Sequence, residues 1–487
     1  MSGHLYNVRM KSKRHLLFFA GLLALLPTAN AQSPNTEALP AAVLAQLRDK
    51  GVRPEQLSFI ARPVRASGSA GLTWAHGAQQ PVQVASLVKL LSTGVALSRY
   101  GAEYGFKTEL LGKRSQGGDL IEGPLHFRGS GDPDFQVEDL WVVLRQLRQS
   151  GVKEISGPLV LDDSAFAHKS QAFAREPEGS FVDEGVYRAY HARPSAVLIG
   201  HGAVGLQIRP GSGGATVDVY APLAPAALTL DNQLQVRRGD CVAWKDSLQV
   251  DWPQPDRLRI RGSYPVACGE QRLPVRVVDG AAWLAMWFAD VWRQLGGLGP
   301  KAWEVGRVPA GVPVLQTWRG RDLGLIVRNT NKFSNNVMAQ NLMLASTQPG
   351  QTSQEAIEKW LAGLGVTGIS GLQVGNGSGL SRTDRVSPAL LADVLEAYYA
   401  QPAFPDYLAS LPRAGADGTL SRRFSDLPVS AHLKTGRLKG VSALAGYLRD
   451  RKGRHWVWVS VLNGDGLEDR SDVHDVLLKW FASMLVG

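Results

Sequence analysis

Two things are scarce in this chain of 487 residues: cysteine, with only two, and long uninterrupted apolar sequence. A membrane-spanning helix needs about 20 consecutive apolar residues. The one notable run, Leu16 to Leu26, is much shorter, so a retained anchor is not expected and membrane contact would be peripheral at most. The ten histidines are scattered, no H-E-x-x-H occurs and the cysteines sit in no Cys/His cluster. Neither a metal nor another cofactor is indicated. Internal repeats and low-complexity tracts are absent as well. The basic residues are dispersed rather than gathered into a stripe, which argues against nucleic acid as a partner.

What is present suits an exported globular protein. With 44% hydrophobic and 20% charged residues the composition is ordinary, and the length implies two or three domains. The stretch from Met1 to Ala31 carries Arg9, Lys11, Lys13 and Arg14 but no acid, then the apolar run, Pro27, and Ala29-Asn30-Ala31. This reads as a secretory signal cleaved before Gln32, with translation starting at Met1 or Met10. Its removal lowers the formal net charge from +10 to +6, and that excess would assist contact with an anionic envelope. In an oxidising compartment Cys241 and Cys268 are expected to form one disulfide. The alternative is two free buried thiols. A bridge would close a loop of about 28 residues, for roughly 3 to 4 kcal/mol on the loop-entropy view.

Along the mature chain, "AAVLAQLRDKGV" reads as a short amphipathic helix, and "LSFIARPV" and "AGLTWAHGAQQPVQVAS" as strands leading to a helix from Ser86. From Lys113 to Val278, short β-like runs punctuated by Gly, Pro and Asp predict a β-rich region. "DGAAWLAMWFADVWRQLGGLG" returns to a helix, with Trp283 and Trp287 on one face as core residues. Beyond residue 320 the pattern is helical, interrupted by "GLQVGNGSGLSRTDRVSP". The end, "SAHLKTGRL", "VSALAGYLRD" and "RHWVWVSVLNG", predicts a three-stranded meander followed by a helix.

One lysine is out of place in this reading. Lys89 lies among Leu87, Val88, Leu90 and Leu91, three residues after Ser86. Residues i and i+3 share a helix face, so the amine can touch the hydroxyl, and the helix N-terminus favours negative charge developing there. To take the serine's proton Lys89 must be neutral, which its reference pKa of about 10.4 opposes by roughly 4 to 5 kcal/mol at pH 7. Apolar burial and a second cation both lower a lysine pKa. The flanking apolar residues supply the first, and Lys434 could supply the second. The bland alternative is a lysine stem laid along the helix with its head in water.

Two further short elements weigh against that alternative: Ser334-Asn335-Asn336 at the start of a helical pattern, and Lys434-Thr435-Gly436 on a strand. Singly each is commonplace. In this order, in an exported chain, they match the S-x-x-K, S-D-N and K-T-G set of β-lactamases and penicillin-binding proteins, with Asn335 in place of the central aspartate. The chain resembles the serine D-alanyl-D-alanine carboxypeptidases/endopeptidases, the low-molecular-mass class C penicillin-binding proteins. The likeness extends over "GSGDP" (Gly129 to Pro133), "LVLDDSAFA" (Leu159 to Ala167), "ARPSAVLI" (Ala192 to Ile199), "GNGSGLSR" (Gly375 to Arg382), "ADGTLSRRF" (Ala416 to Phe424) and "GYL" after K-T-G. The interval from Ser86 to Ser334 is more than twice that from Ser334 to Lys434. No loop fills the first gap, so domains must be inserted there.

The resemblance implies an α/β (α+β) penicillin-binding, β-lactamase-like transpeptidase fold, an antiparallel sheet flanked by helices. Its first part would run over 32–115, an inserted β-rich region over 116–291, and its second part over 292–487. It implies Ser86 as acylated nucleophile, Lys89 as general base, Ser334 as proton relay and Asn336 as a ligand of the substrate backbone. Lys434 and Thr435 would hold a terminal carboxylate, Gly436 would allow close approach of the strand, and the N–H groups of Ser86 and Arg437 would form an oxyanion hole. The implied partners are peptidoglycan stem peptides and β-lactam antibiotics, in the periplasm. Asp162 and Asp163 read as turn acids capping a strand in preference to readers of a diamino side chain. A β-lactamase would share the three motifs but would need a deacylating carboxylate motif, which is not evident. K-T-G suits a carboxylate-bearing substrate better than an esterase. A non-catalytic wall-binding protein on the same fold is the remaining alternative, against which the intact motifs weigh.

Overall fold

The computed structural model describes residues 36–65, 72–166 and 187–486; the expected leader, 1–31, lies outside them. The two ends of the chain build one six-stranded sheet. Its order is Thr36–Glu37, Thr73–His76, Leu57–Pro63, His455–Asn463, Val441–Arg449, Ser430–Leu438. The C-terminal meander is antiparallel throughout, and its third strand pairs antiparallel with the early strand Leu57–Pro63. Val441–Arg449 is buried at every position but the last, because helices cover both faces. On one face lie Val88–Tyr100, Leu323–Lys332, Asn336–Ser346 and Pro388–Tyr399. On the other, Ala41–Asp49 and Ser471–Met484 pack around Phe59, Trp458 and Phe481.

The inserted body is built on a second six-stranded sheet of Gly105–Arg114, Leu120–Arg128, Glu154–Ile155, Leu159–Asp162, Trp303–Val305 and Val314–Asp322, together with two three-stranded sheets. They share a core with helix Gly280–Gln294, in which Trp283 and Trp287 are buried. Two features depart from the sequence expectation. Strands Gly105–Arg114 and Val314–Asp322 pair with each other yet lie outside the expected limits of 116 and 291. The whole of the inserted body separates them along the chain, and no local pattern reports a pairing at that range. Within the β-rich stretch, Val137–Gln149 is a helix that buries Leu140, Val143, Leu144 and Leu147. That is i, i+3, i+4, i+7 spacing, framed by so many turn residues that it reads as more strand.

Cys241 and Cys268 form a disulfide that ties the loop after strand Thr229–Arg237 to the turn between strands Arg257–Pro265 and Gln271–Arg276. Reduction, or the double change Cys241→Ser/Cys268→Ser, is expected to remove roughly 3 to 4 kcal/mol. Scanning calorimetry with and without reductant should then show the inserted body melting about 6 to 15 °C lower, with penicillin labelling retained below that transition.

Candidate active site

Ser86 occupies a single 3₁₀ turn, Ala85–Leu87, in front of helix Val88–Tyr100. The residue before it, Ala85, is buried with φ +47°, a left-handed conformation that costs an L-residue roughly 1 to 2 kcal/mol. Two glycines hold the turn there. A Cβ on Gly436 would lie 2.7 Å from the Val84 carbonyl oxygen, and one on Gly379 would lie 2.0 Å from that of Ala85. The bare Cα of Gly436 leaves room for the backbone that presents Ser86.

Lys89 is fully buried. Its Nζ lies 2.9 Å from Ser86 Oγ, 2.7 Å from Asn336 Oδ1 and 2.5 Å from the Ser378 carbonyl oxygen. Burial first, and then the Lys434 ammonium, hold this amine well below the usual lysine range; the Asp384 carboxylate pulls it partly back. Lys434 is buried too, which lowers it to about 7. It donates to Ser334 Oγ at 2.8 Å and to the Thr435 carbonyl at 2.7 Å.

Ser334 has φ +55° at the break between helices Leu323–Lys332 and Asn336–Ser346. Asn335, the residue that departs from S-D-N, caps the second helix by accepting from Met338 N at 3.2 Å. Aspartate caps equally well, so the substitution leaves the turn's chemistry intact. Asn336 Nδ2 donates to the Tyr190 carbonyl at 3.0 Å, which brings the inserted body to the rim of the site. Thr435 Oγ1 pairs with Thr419 Oγ1 at 2.8 Å. The Arg437 side chain turns outward to an ion pair with Asp469.

A cavity of about 540 Å³ opens over this group. Ser86, Ser334, Asn336, Gly379 and Arg437 line it from the transpeptidase-like part, and Arg188 and Tyr190 from the inserted body. Asp162 is not in its wall: its carboxylate accepts from the Ser164 and Val308 amides, both at 2.9 Å, as a turn acid does. Among the described residues no group of His, Cys, Asp and Glu could hold a metal. The three motifs, drawn from the early, middle and late parts of the chain, therefore meet at one serine with one buried amine against it.

Residues 41–484 match the D-Ala-D-Ala carboxypeptidase 3 (S13) family. The chain belongs to that family. It is a serine-type DD-peptidase. It is similar to a D-alanyl-D-alanine carboxypeptidase of Actinomadura sp., 30% identical over 393 residues that cover 76% of this chain and 71% of the relative. A second relative is the D-alanyl-D-alanine carboxypeptidase DacB of Haemophilus influenzae, 26% identical over 394 residues, covering 78% and 80%. The crystal structure of penicillin binding protein 4 from Haemophilus influenzae superposes with a TM-score of 0.76, at 24% identity, over 91% of this chain and 99% of that one. At that identity the likeness is one of fold: a penicillin-binding fold with its insertion in place.

The structure also brings to this S13-family site residues without an assigned role from the sequence. Ser378, Gly379, Asp384 and Thr419 all come from the "GNGSGLSR" and "ADGTLSRRF" neighbourhoods. Those stretches signalled the family. Nothing in their spacing, unlike the i, i+3 step from Ser86 to Lys89, says which atom faces the amine.

Proposed function

We propose that Ser86 is the acylated nucleophile of a DD-peptidase acting on peptidoglycan stem peptides, with Lys89 as its base. One observation carries this reading. Of the three groups around Lys89 Nζ, the Ser378 carbonyl and Asn336 Oδ1 can only accept hydrogen bonds, and the Asn336 amide orientation is fixed by Nδ2 donating to Tyr190. A neutral amine has two hydrogens for those two oxygens. Its lone pair is left facing Ser86 Oγ, ready for the hydroxyl proton.

Ser86 Oγ then attacks the carbonyl carbon of the penultimate D-Ala, and the N–H groups of Ser86 and Arg437 receive the oxyanion. Lys434 and Thr435 hold the terminal carboxylate. The Lys434–Ser334 hydrogen bond offers a path for a proton to the leaving amine as the C–N bond breaks. Water later cleaves the Ser86 ester. The leaving group would be D-Ala in a carboxypeptidase reaction, or the amine of a diamino acid in a cross-link for an endopeptidase. A β-lactam that acylates the same serine stays attached through its opened ring; the Haemophilus influenzae penicillin binding protein 4 has been crystallised with a β-lactam bound. The protein would work outside the cytoplasm, in the periplasm. The Cys241–Cys268 disulfide supports that placement, and no helix among the described residues is long and apolar enough to cross a membrane.

The test is labelling of the purified mature protein by a fluorescent penicillin, read on a denaturing gel and by intact mass, with Ser86→Ala beside it. A stable adduct is expected in the wild type and none in the variant. Rapid drug turnover without an adduct would instead indicate a β-lactamase, and folded protein that does not react would indicate a wall-binding role. Release of D-Ala from a pentapeptide, against release of monomers from cross-linked muropeptides, separates the two peptidase activities.

A further inference from the structure

Between helices Ser353–Gly363 and Pro388–Tyr399 the chain passes through Gly375 to Gly379 and returns at Asp384, whose side chain is buried. Asp384 Oδ1 accepts from the Gly375 amide at 2.8 Å. Inside the loop, Asn376 Oδ1 accepts from Ser378 N at 3.0 Å and from its hydroxyl at 2.7 Å, and Gln340 Nε2 donates to Ser378 Oγ at 3.3 Å. These bonds aim the Ser378 carbonyl at Lys89.

The other oxygen, Asp384 Oδ2, is buried with no donor but the Ser381 hydroxyl beside it, which also pairs with Thr383 at 2.9 Å. A carboxylate buried with so few donors is costly. Asparagine would accept from Gly375 equally well, so local bracing does not explain the charge. The cations that the charge acts on are Arg385, its neighbour in the chain, and Lys89.

We propose that Asp384 is a positioning residue for the reaction: it braces the turn that holds the Lys89 amine, and its negative charge offsets Lys434 at that amine. This rests on Lys89 being the base. Burial and the Lys434 charge both push Lys89 toward neutrality, and an amine pushed too far is too weak a base to take a serine proton. The charged groups facing Lys89 are Lys434, from strand Ser430–Leu438, and Asp384; helix Asn336–Ser346 presents only the neutral Asn336 and Gln340. Burial lifts Asp384 to about 6, with Arg385 and Lys89 among the groups that lower it.

The experiment is the second-order rate constant for acylation by a fluorescent penicillin, measured from pH 5 to 10 on the full mature protein and on Asp384→Asn. Loss of the negative charge lowers the Lys89 pKa, so the acid limb is expected to move roughly one unit to lower pH, with a plateau rate roughly tenfold lower. A limb at the wild-type position, whatever the rate, overturns the proposal and leaves Asp384 a structural residue. Failure of the wild type to be labelled at all is a separate result that overturns the function reading itself. Should Asp384→Asn not fold, carboxyl-¹³C NMR of aspartate-labelled protein applies. The buried aspartate that titrates near pH 6 must do so at higher pH in Lys89→Ala, and no movement overturns the coupling.

Discussion

Lys89→Met should lower the rate of acylation by penicillin roughly 10³-fold or more while leaving a folded protein. General-base assistance contributes about 10²- to 10⁴-fold, and here no other described group can substitute for it. Among the described ionisable side chains only Lys89 touches Ser86 Oγ; Lys434 is engaged with Ser334 and the Thr435 carbonyl. Methionine fills the volume but leaves Asn336 Oδ1 and the Ser378 carbonyl without a donor, each costing about 1 to 3 kcal/mol. Against this, the variant no longer buries an amine, and the two effects oppose each other in the melting temperature at pH 7. The pH slope separates them. Both lysines have lower pKa values in the native protein than in the unfolded chain, so unfolding takes up protons at neutral pH. Stability from this source therefore rises as pH climbs from about 7 toward 10. The variant should keep the Lys434 part of that rise and lose the Lys89 part. Thermal melts at pH 7, 8.5 and 10 would show it, and a slope equal to wild type would mean that Lys89 is charged in the native protein.

Gly379→Ala should cost at least about 10²-fold in acylation from a single methyl group. Its Cβ would stand 2.0 Å from the Ala85 carbonyl oxygen, 2.4 Å from the carbonyl carbon and 2.9 Å from Ser86 N. All three are backbone atoms, so no rotamer change relieves the overlap. Gly379 also has φ +79°, which adds roughly 1 to 2 kcal/mol for any L-residue. Either the turn carrying Ser86 or the loop carrying the Ser378 carbonyl must move by about an ångström, a displacement that costs on the order of 100-fold in such sites. Overpacking of this kind also destabilises, by about 1 to 3 kcal/mol. Single-turnover labelling with a melting curve reads both. Unchanged labelling would show that the turn carrying Ser86 tolerates the shift.

The legible parts of this protein were those with a local rule. Ser86 and Lys89 share a helical face, so their contact follows from an interval of three. The closing meander alternates cleanly with its turns, and the long interval between Ser86 and Ser334 demands an insertion. The helix Val137–Gln149 was masked by the turn residues around it, although its apolar spacing is regular. The extent of the inserted body was illegible for a different reason. Gly105–Arg114 and Val314–Asp322 become neighbours only when the sheet closes, and contacts across such a span leave no periodicity in either segment.

The sequence by itself determined the chemistry on offer: two serines, two lysines and an asparagine in three motifs, one cysteine pair, and a chain long enough for an inserted body. Only the tertiary structure decided that burial holds the Lys89 pKa well below the usual lysine range, because desolvation depends on helices and strands that arrive from both ends of the chain. It alone decided which oxygens surround the amine, and that Lys434 and Asp384 act on it with opposite signs. Electrostatic fields depend on distance through space, and a linear order of residues does not contain that distance.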